Sequence, residues 1–344
     1  LCRPVEQFVM KACVVLAVLL SVPFSGSGNS VPQEDDGTGM EYFLVETESG
    51  VYEVEDLVHA EIDVRASPSD LTYHFHSRSN PSRGIDIRTT NIGALRNTQF
   101  SVAKDTLFIV HGWRNSHESA VNNYIRESIL ARHDINVFVV DWSPVAGRNY
   151  VSAQGAVTTV GNHVADFIRA LIATFGLRLD RVAFVGHSLG AHVSGNAGAS
   201  LNGQVDHIVG LDPALPLFSI NNINNRLDPS DARFVQVIHT NGGLLGFRDS
   251  IGDSDFFPNG GSSQPGCGVD LAGTCAHSRA YSYYAEAIRA SRNLFVSALC
   301  GNMNDFNAGR CNSNTRSAMG GYTIDRVRGD FYLTTNSQSP FARG

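Results

Sequence analysis

The stretch Val182–Ser194, V-A-F-V-G-H-S-L-G-A-H-V-S, constrains the fold of this chain more than any other. Val182, Phe184 and Val185 form a short apolar run of the kind that fills a buried parallel strand. Gly186-His187-Ser188-Leu189-Gly190 follows as G-x-S-x-G, and Leu189 onward can pass directly into a helix. A strand, a sharp turn and a helix expose the turn's serine hydroxyl, and small flanking residues avoid a clash there. The free N–H groups and positive dipole end of that helix favour a developing oxyanion. Ser188 is therefore the candidate nucleophile.

Strands alternate with helices on either side of this turn. Leu71–His76 alternates as a strand that Asn80-Pro81 should end, and Thr106–Val110 is a continuous apolar strand leading into His111-Gly112-Trp113. Val121, Ile125 and Ile129 recur every four residues, so Ser119–Arg132 reads as an amphipathic helix. Val137–Val140, His207–Leu211 and Phe234–Ile238 continue the strands, and Val160, Val164, Phe167, Ile168 and Leu171 mark one long helix face. The pattern predicts a mainly parallel sheet covered on both faces, with its active site at the carboxyl ends of the strands. Trp113, Asp141, Ser188, Asp212 and His239 all follow strands directly, so one rim can gather them.

A serine nucleophile needs a base, and the base needs an orienting carboxylate. In hydrolases built on such a sheet, the chain order is serine, acid, histidine. Asp212, in Gly210-Leu-Asp-Pro-Ala214, follows the next strand after Ser188. Asp141 precedes the serine and suits a structural hydrogen bond near Trp142. His239 and His277 both lie downstream as candidate bases, and the residues alone leave the choice open. His111, His187 and His192 read as packing or turn residues. The oxyanion donors expected for this architecture are the backbone N–H groups of Leu189 and Trp113.

The N-terminus carries a different signal. Lys11–Val22 is apolar but too short to span a bilayer, and small residues follow at Ser25–Ser30, as in a secretory signal peptide. Residues 1–28 are assigned to it, with residues 1–9 as spurious upstream sequence before Met10. Cleavage would remove Cys2 and Cys13 and leave Cys267, Cys275, Cys300 and Cys311, an even number suited to an oxidising, extracellular compartment. Sequence proximity favours Cys267–Cys275 and Cys300–Cys311, and no ligand spacing supports a zinc site instead. Residues 29–68 are acidic and read as a mobile arm or as a pro-segment removable at Arg65. The formal net charge of −7 argues against nucleic acid and against electrostatic docking on anionic membranes.

These segments resemble the pancreatic lipase family: Thr106–Trp113, Gly186–Ala191, Gly210–Pro216, Leu227–Thr240, Asp255–Gly261 and Cys275–Tyr284, over roughly residues 70–335. The resemblance implies an α/β-hydrolase domain over residues 69–340, a triad of Ser188, Asp212 and His277, and oxyanion donors at Trp113 and Leu189. The implied reaction is hydrolysis of a lipid carboxylester through an acyl-enzyme at a micelle or membrane surface. No cofactor is required. The family's structural calcium would fall on the carboxylates of Asp228 and Asp231 with the carbonyls of Ile223 and Arg226, although Asp228-Pro-Ser-Asp231 also suits the start of a helix.

Two departures shape the expectation. Cys267 and Cys275 enclose only Gly268–Thr274, where digestive triacylglycerol lipases carry a long lid. Such shortening resembles phospholipase A1, galactolipase and insect members, and implies an open site. The stretch after His277 is too short to add a lipid-binding C-terminal β-sandwich, so no colipase-type partner is expected. A catalytically inactive lipid-binding or yolk-type protein on the same fold is the alternative, disfavoured by the intact Ser188, Asp212 and His277.

Overall fold

A computed structural model describes residues 39–47, 50–290 and 294–344. The proposed signal peptide, with Cys2 and Cys13, lies outside the described residues. No helix among the described residues is long and apolar enough to cross a membrane.

Among the described residues the main sheet has eleven strands, in the order β12-β11-β13-β10-β9-β8-β7-β5-β6-β3-β4. In chain order these are β3 (Thr72–Ser77), β4 (Asn80–Ile87), β5 (Thr106–Val110), β6 (Asn136–Asp141), β7 (Val182–His187) and β8 (His207–Leu211), then β9 (Val235–Ile238), β10 (Ser254–Pro258), β11 (Val296–Leu299), β12 (Arg316–Ala318) and β13 (Gly329–Leu333). From β6 through β5, β7, β8, β9 and β10 to β13 every pairing is parallel, while β3, β4, β11 and β12 add antiparallel edges. The central strands are buried along their length, β5 and β8 completely, which is why they read as continuous apolar runs.

Two layers of helix cover the sheet. Helices α4 (Val157–Phe175) and α5 (Leu189–Ser200) bury Val160, Val164, Phe167, Ile168, Leu171 and Val193 in one core, with Phe108, Phe138 and Phe184 from the sheet. On the other face, α1 (Ala120–Arg132) and α6 (Thr274–Arg289) close over Ile109, Val185, Val209 and Phe256. Each fully buried Val, Leu or Phe contributes about 1.5–3 kcal/mol, so these two layers dominate the stability. Shorter helices α2 (Ser143–Ala146) and α3 (Tyr150–Gly155) precede α4, and α7 (Met303–Asn307) follows β11. This is the expected α/β-hydrolase architecture.

Three local expectations differ from the structure. Asn80-Pro81 does not end the strand segment; it opens β4, which turns back on β3 as an edge strand where a proline's missing N–H costs no central ladder bond. Asp228-Pro-Ser-Asp231 forms only a 3₁₀ turn, Pro229–Asp231. The third difference concerns the mobile-arm reading of the acidic segment 29–68; removal of the segment at Arg65 is a separate matter of cleavage. The segment's described part carries an antiparallel hairpin, β1 (Tyr42–Glu46) and β2 (Tyr52–Asp56), packed on the body. The Phe43 ring sits edge-on to Trp113 and Tyr150, with centroids 5.7 and 5.1 Å away. Glu55 accepts from the Tyr150 N–H at 2.6 Å, and Arg114 reaches Glu53 at 3.0 Å and Glu55 at 3.4 Å. Arg148 donates to the carbonyls of Asp63 and Arg65 at 2.8 and 2.6 Å. The carboxylates thus serve as acceptors for cations far along the chain.

Candidate active site

The turn after β7 is built as the sequence requires. Ser188 holds φ 57° and ψ −127°, a strained backbone that points its side chain off the sheet end, and α5 starts at the next residue. A Cβ on Gly190 would lie 2.2 Å from the Val110 carbonyl oxygen, so only glycine lets the helix approach β5 so closely. Gly112 packs against Ser188 in the same way: an added Cβ would come within 2.7 Å of the serine Cβ. This contact brings the loop after β5, with Trp113, beside the serine.

Asp212 follows β8 and is fully buried. Its Oδ1 accepts from the backbone N–H groups of Thr240 and Asn241 at 2.7 and 2.9 Å, and its Oδ2 accepts from His277 Nδ1 at 2.6 Å. His277 stands in the first turn of α6. With Nδ1 donating to Asp212, its Nε2 retains the lone pair that a general base uses. The His187 ring donates to the His277 carbonyl at 3.1 Å, and burial holds His187 well below the ordinary histidine range, so it stays neutral beside His277.

His239 has no such lone pair. Both its nitrogens face acceptors, Nδ1 the Phe247 carbonyl at 2.8 Å and Nε2 the Asp255 carboxylate at 2.8 Å. Burial alone would lower its pKa, but the Asp255 hydrogen bond and charge outweigh this and raise it. A buried ring with both nitrogens committed cannot serve Ser188, so the geometry favours His277. Of the residues on the rim, Asp141 also faces away from Ser188, bonded to the Ser143 N–H at 3.0 Å. The His192 ring donates to Ala214 and accepts from Leu227, and burial lowers it to about 3.

Ser188, His277, Gly112 and Trp113 open onto one cavity of about 690 Å³. Neither expected oxyanion donor is spent elsewhere among the described residues: the Trp113 N–H has no backbone acceptor, and Leu189 opens a helix, where the N–H lacks an intrahelical partner. The Trp113 ring is held aside by its own Nε1–H, which donates to the Arg148 carbonyl at 2.7 Å. The hairpin residues Phe43–Thr47 line the same cavity. Sequence reasoning missed this wall, because its partners, Trp113 and Tyr150, lie far along the chain.

The disulfides join Cys267 to Cys275 and Cys300 to Cys311, the two pairs that proximity favoured. Within the first loop, the Asp270 carboxylate accepts from the N–H groups of Cys275 and Ala276 at 3.2 and 2.8 Å, tying the short segment to the start of α6. Asp228 and Asp231 adjoin each other in a capping box that engages Asp228 Oδ1 and Asp231 Oδ2. Burial raises the Asp231 carboxyl to about 8. A carboxyl whose charged form burial disfavours, beside a second carboxylate, suits a hard cation.

A model of the family described as Lipase matches residues 49–341. Pancreatic triacylglycerol lipase of Myocastor coypus is 35% identical over 310 residues, covering 80% of this chain and 67% of that protein. Pancreatic lipase-related protein 2 of Bos taurus is 34% identical, covering 71% and 57%, and lipoprotein lipase of Rattus norvegicus is 34% identical, covering 72% and 58%. The chain thus spans between 57% and 67% of the length of these relatives. Matched along most of its length by the family model and at a third identity by several relatives, this chain belongs to the pancreatic lipase family.

Proposed function

We propose that the chain is an extracellular serine esterase that hydrolyses lipid carboxylesters. The observation that carries this reading is the 2.6 Å bond between His277 Nδ1 and Asp212, with His277 and Ser188 facing one cavity. In this reading His277 Nε2 takes the Ser188 proton as Oγ attacks the acyl carbonyl. The N–H groups of Trp113 and Leu189 receive the oxyanion, the protonated His277 returns its proton to the departing alcohol, and water then releases the acyl group. The two disulfides support an oxidising, extracellular setting. A calcium ion held by Asp228 and Asp231 would act structurally, away from the reaction.

The cavity rim carries Glu46, Thr47, Arg114, Asn115 and Glu118, and the tethered Gly268–Thr274 segment exposes only Val269 and Leu271 as large apolar side chains to an oil droplet. A polar rim suits a lipid head group, which favours a phospholipase A1 or galactolipase over a triacylglycerol lipase. A fluorophosphonate probe should label the Ser188 peptide and no other, and phosphatidylcholine or monogalactosyl diacylglycerol should exceed triolein in kcat/KM. An unlabelled Ser188 would point to the inactive, lipid-binding alternative; a preference for triolein would overturn the head-group reading alone.

A further inference from the structure

A second cluster of chemically active side chains lies behind the oxyanion loop and takes no part in the proposed reaction. His74 on β3, His117 in the loop between β5 and α1, and Asp141 at the end of β6 converge there, each offering one ligand atom within 4.8 Å of the others. His117 Nδ1 lies 2.8 Å from Asp141 Oδ2, and His74 Nε2 lies 3.6 Å from the same oxygen. The two imidazole rings are stacked nearly parallel, centroids 4.0 Å apart and planes 15° from each other, so an ion takes its place among the three donors only when the partly exposed His117 ring turns its lone pair toward it; zinc bonds of about 2.0–2.1 Å then set neighbouring donors about 3.3 Å apart.

Several features favour a cation over a plain hydrogen-bond cluster. The His74 side chain is only 9% exposed, and its Nε2 makes no hydrogen bond although it is aimed at Asp141. Such a buried polar atom is costly unless something occupies the space it faces. Its other nitrogen, Nδ1, lies 2.9 Å from Asp86 Oδ1, directly across the β3–β4 ladder. A carboxylate behind a histidine fixes the tautomer and turns the free nitrogen toward a metal. Asp141 is oriented likewise: its Oδ1 accepts from the Ser143 N–H and lies 3.4 Å from His111 Nε2, which leaves Oδ2 toward the two histidines. His117 is 40% exposed, so an ion and its water have a way in.

We propose that His74 Nε2, His117 Nδ1 and Asp141 Oδ2 bind one divalent cation of the zinc class, with water completing the coordination. Two imidazoles and one carboxylate are the donor set of a borderline ion, whereas calcium and magnesium prefer oxygen alone. Because His117 shares its loop with Trp113, and Asp141 lies beside His111, the bound ion clamps the loop that carries an oxyanion donor to β3 and β6.

The test is metal content, independent of turnover. Chelator-treated, tag-free protein is equilibrated with zinc, dialysed and measured for bound metal. Wild type should take up one saturable equivalent and rise in Tm. His117→Ala, a change at a partly exposed side chain, should weaken binding by at least about 100-fold, and Asp86→Asn should weaken it by about 10–100-fold by releasing His74. Cobalt in place of zinc should give the intense visible absorption of a low-coordinate site in wild type and lose it in His117→Ala. Absence of saturable binding in wild type, or equal binding in wild type and His117→Ala, overturns the proposal.

Discussion

Two histidine–aspartate pairs, Asp212–His277 and Asp255–His239, lie along the sheet rim, and what separates them is whether the ring keeps a free nitrogen. Asp212 accepts a single ring bond and spends its other oxygen on the backbone N–H groups of Thr240 and Asn241, which leaves His277 one free nitrogen. Asp255 instead faces a ring whose second nitrogen is also committed, to Phe247. Replacing Asp212 with Asn keeps the size but disturbs the tautomer of His277. Asp212→Asn should therefore lower kcat about 10⁴-fold on a soluble ester with an unchanged circular dichroism spectrum. A loss below tenfold would remove Asp212 from the orienting role. By contrast, Asp255→Asn should act on stability, because Asp255 accepts from the buried His239 ring and from the Ile251 and Gly252 N–H groups.

Among the elements, the N-terminal hairpin changes the picture of the site most. Residues Phe43, Leu44 and Val45 of β1 form one wall of the cavity. Phe43 is 6% exposed and anchors the strand by its edge-to-face contacts with Trp113 and Tyr150, each contributing about 0.5–1.5 kcal/mol. Phe43→Ala should loosen that wall without touching the reacting atoms. The expected result is a higher KM for long-chain esters, with kcat on a short-chain ester changed less than threefold. Equal losses on both substrates would mean that the hairpin shapes the oxyanion loop through Trp113 rather than the acyl wall. The hairpin was not legible beforehand because Glu53, Glu55 and Asp56 read as solvated charge. The partners of Glu53 and Glu55, the Arg114 guanidinium and the Tyr150 N–H, come from segments that the fold alone brings near.

At the scale of the whole molecule, buried neutral histidines make stability depend on acid. Burial holds His192 at about 3, while the unfolded chain binds a proton near the ordinary value of about 6.5. Between those values the unfolded state carries more protons, so stability is full above about pH 6.5 and falls as the pH drops toward 3. Urea midpoints should decline across that window, and His192→Gln should flatten the slope while lowering stability at pH 7; an unchanged slope would assign the acid sensitivity to other groups. The sequence by itself determined the strand–turn–helix around Ser188, the parallel sheet and the order serine, aspartate, histidine, because each rests on local periodicity or on steric demands within a few residues. It also contained Asp212 and His277 but could not choose between His277 and His239 without a family resemblance, since the distinction is which acceptors surround each ring. Only the tertiary structure decided that choice, the hairpin wall, and the meeting of His74, His117 and Asp141. Those depend on contacts between segments far apart in the chain, for which no short-range pattern exists, and it is the burial of both sheet faces that brings them together.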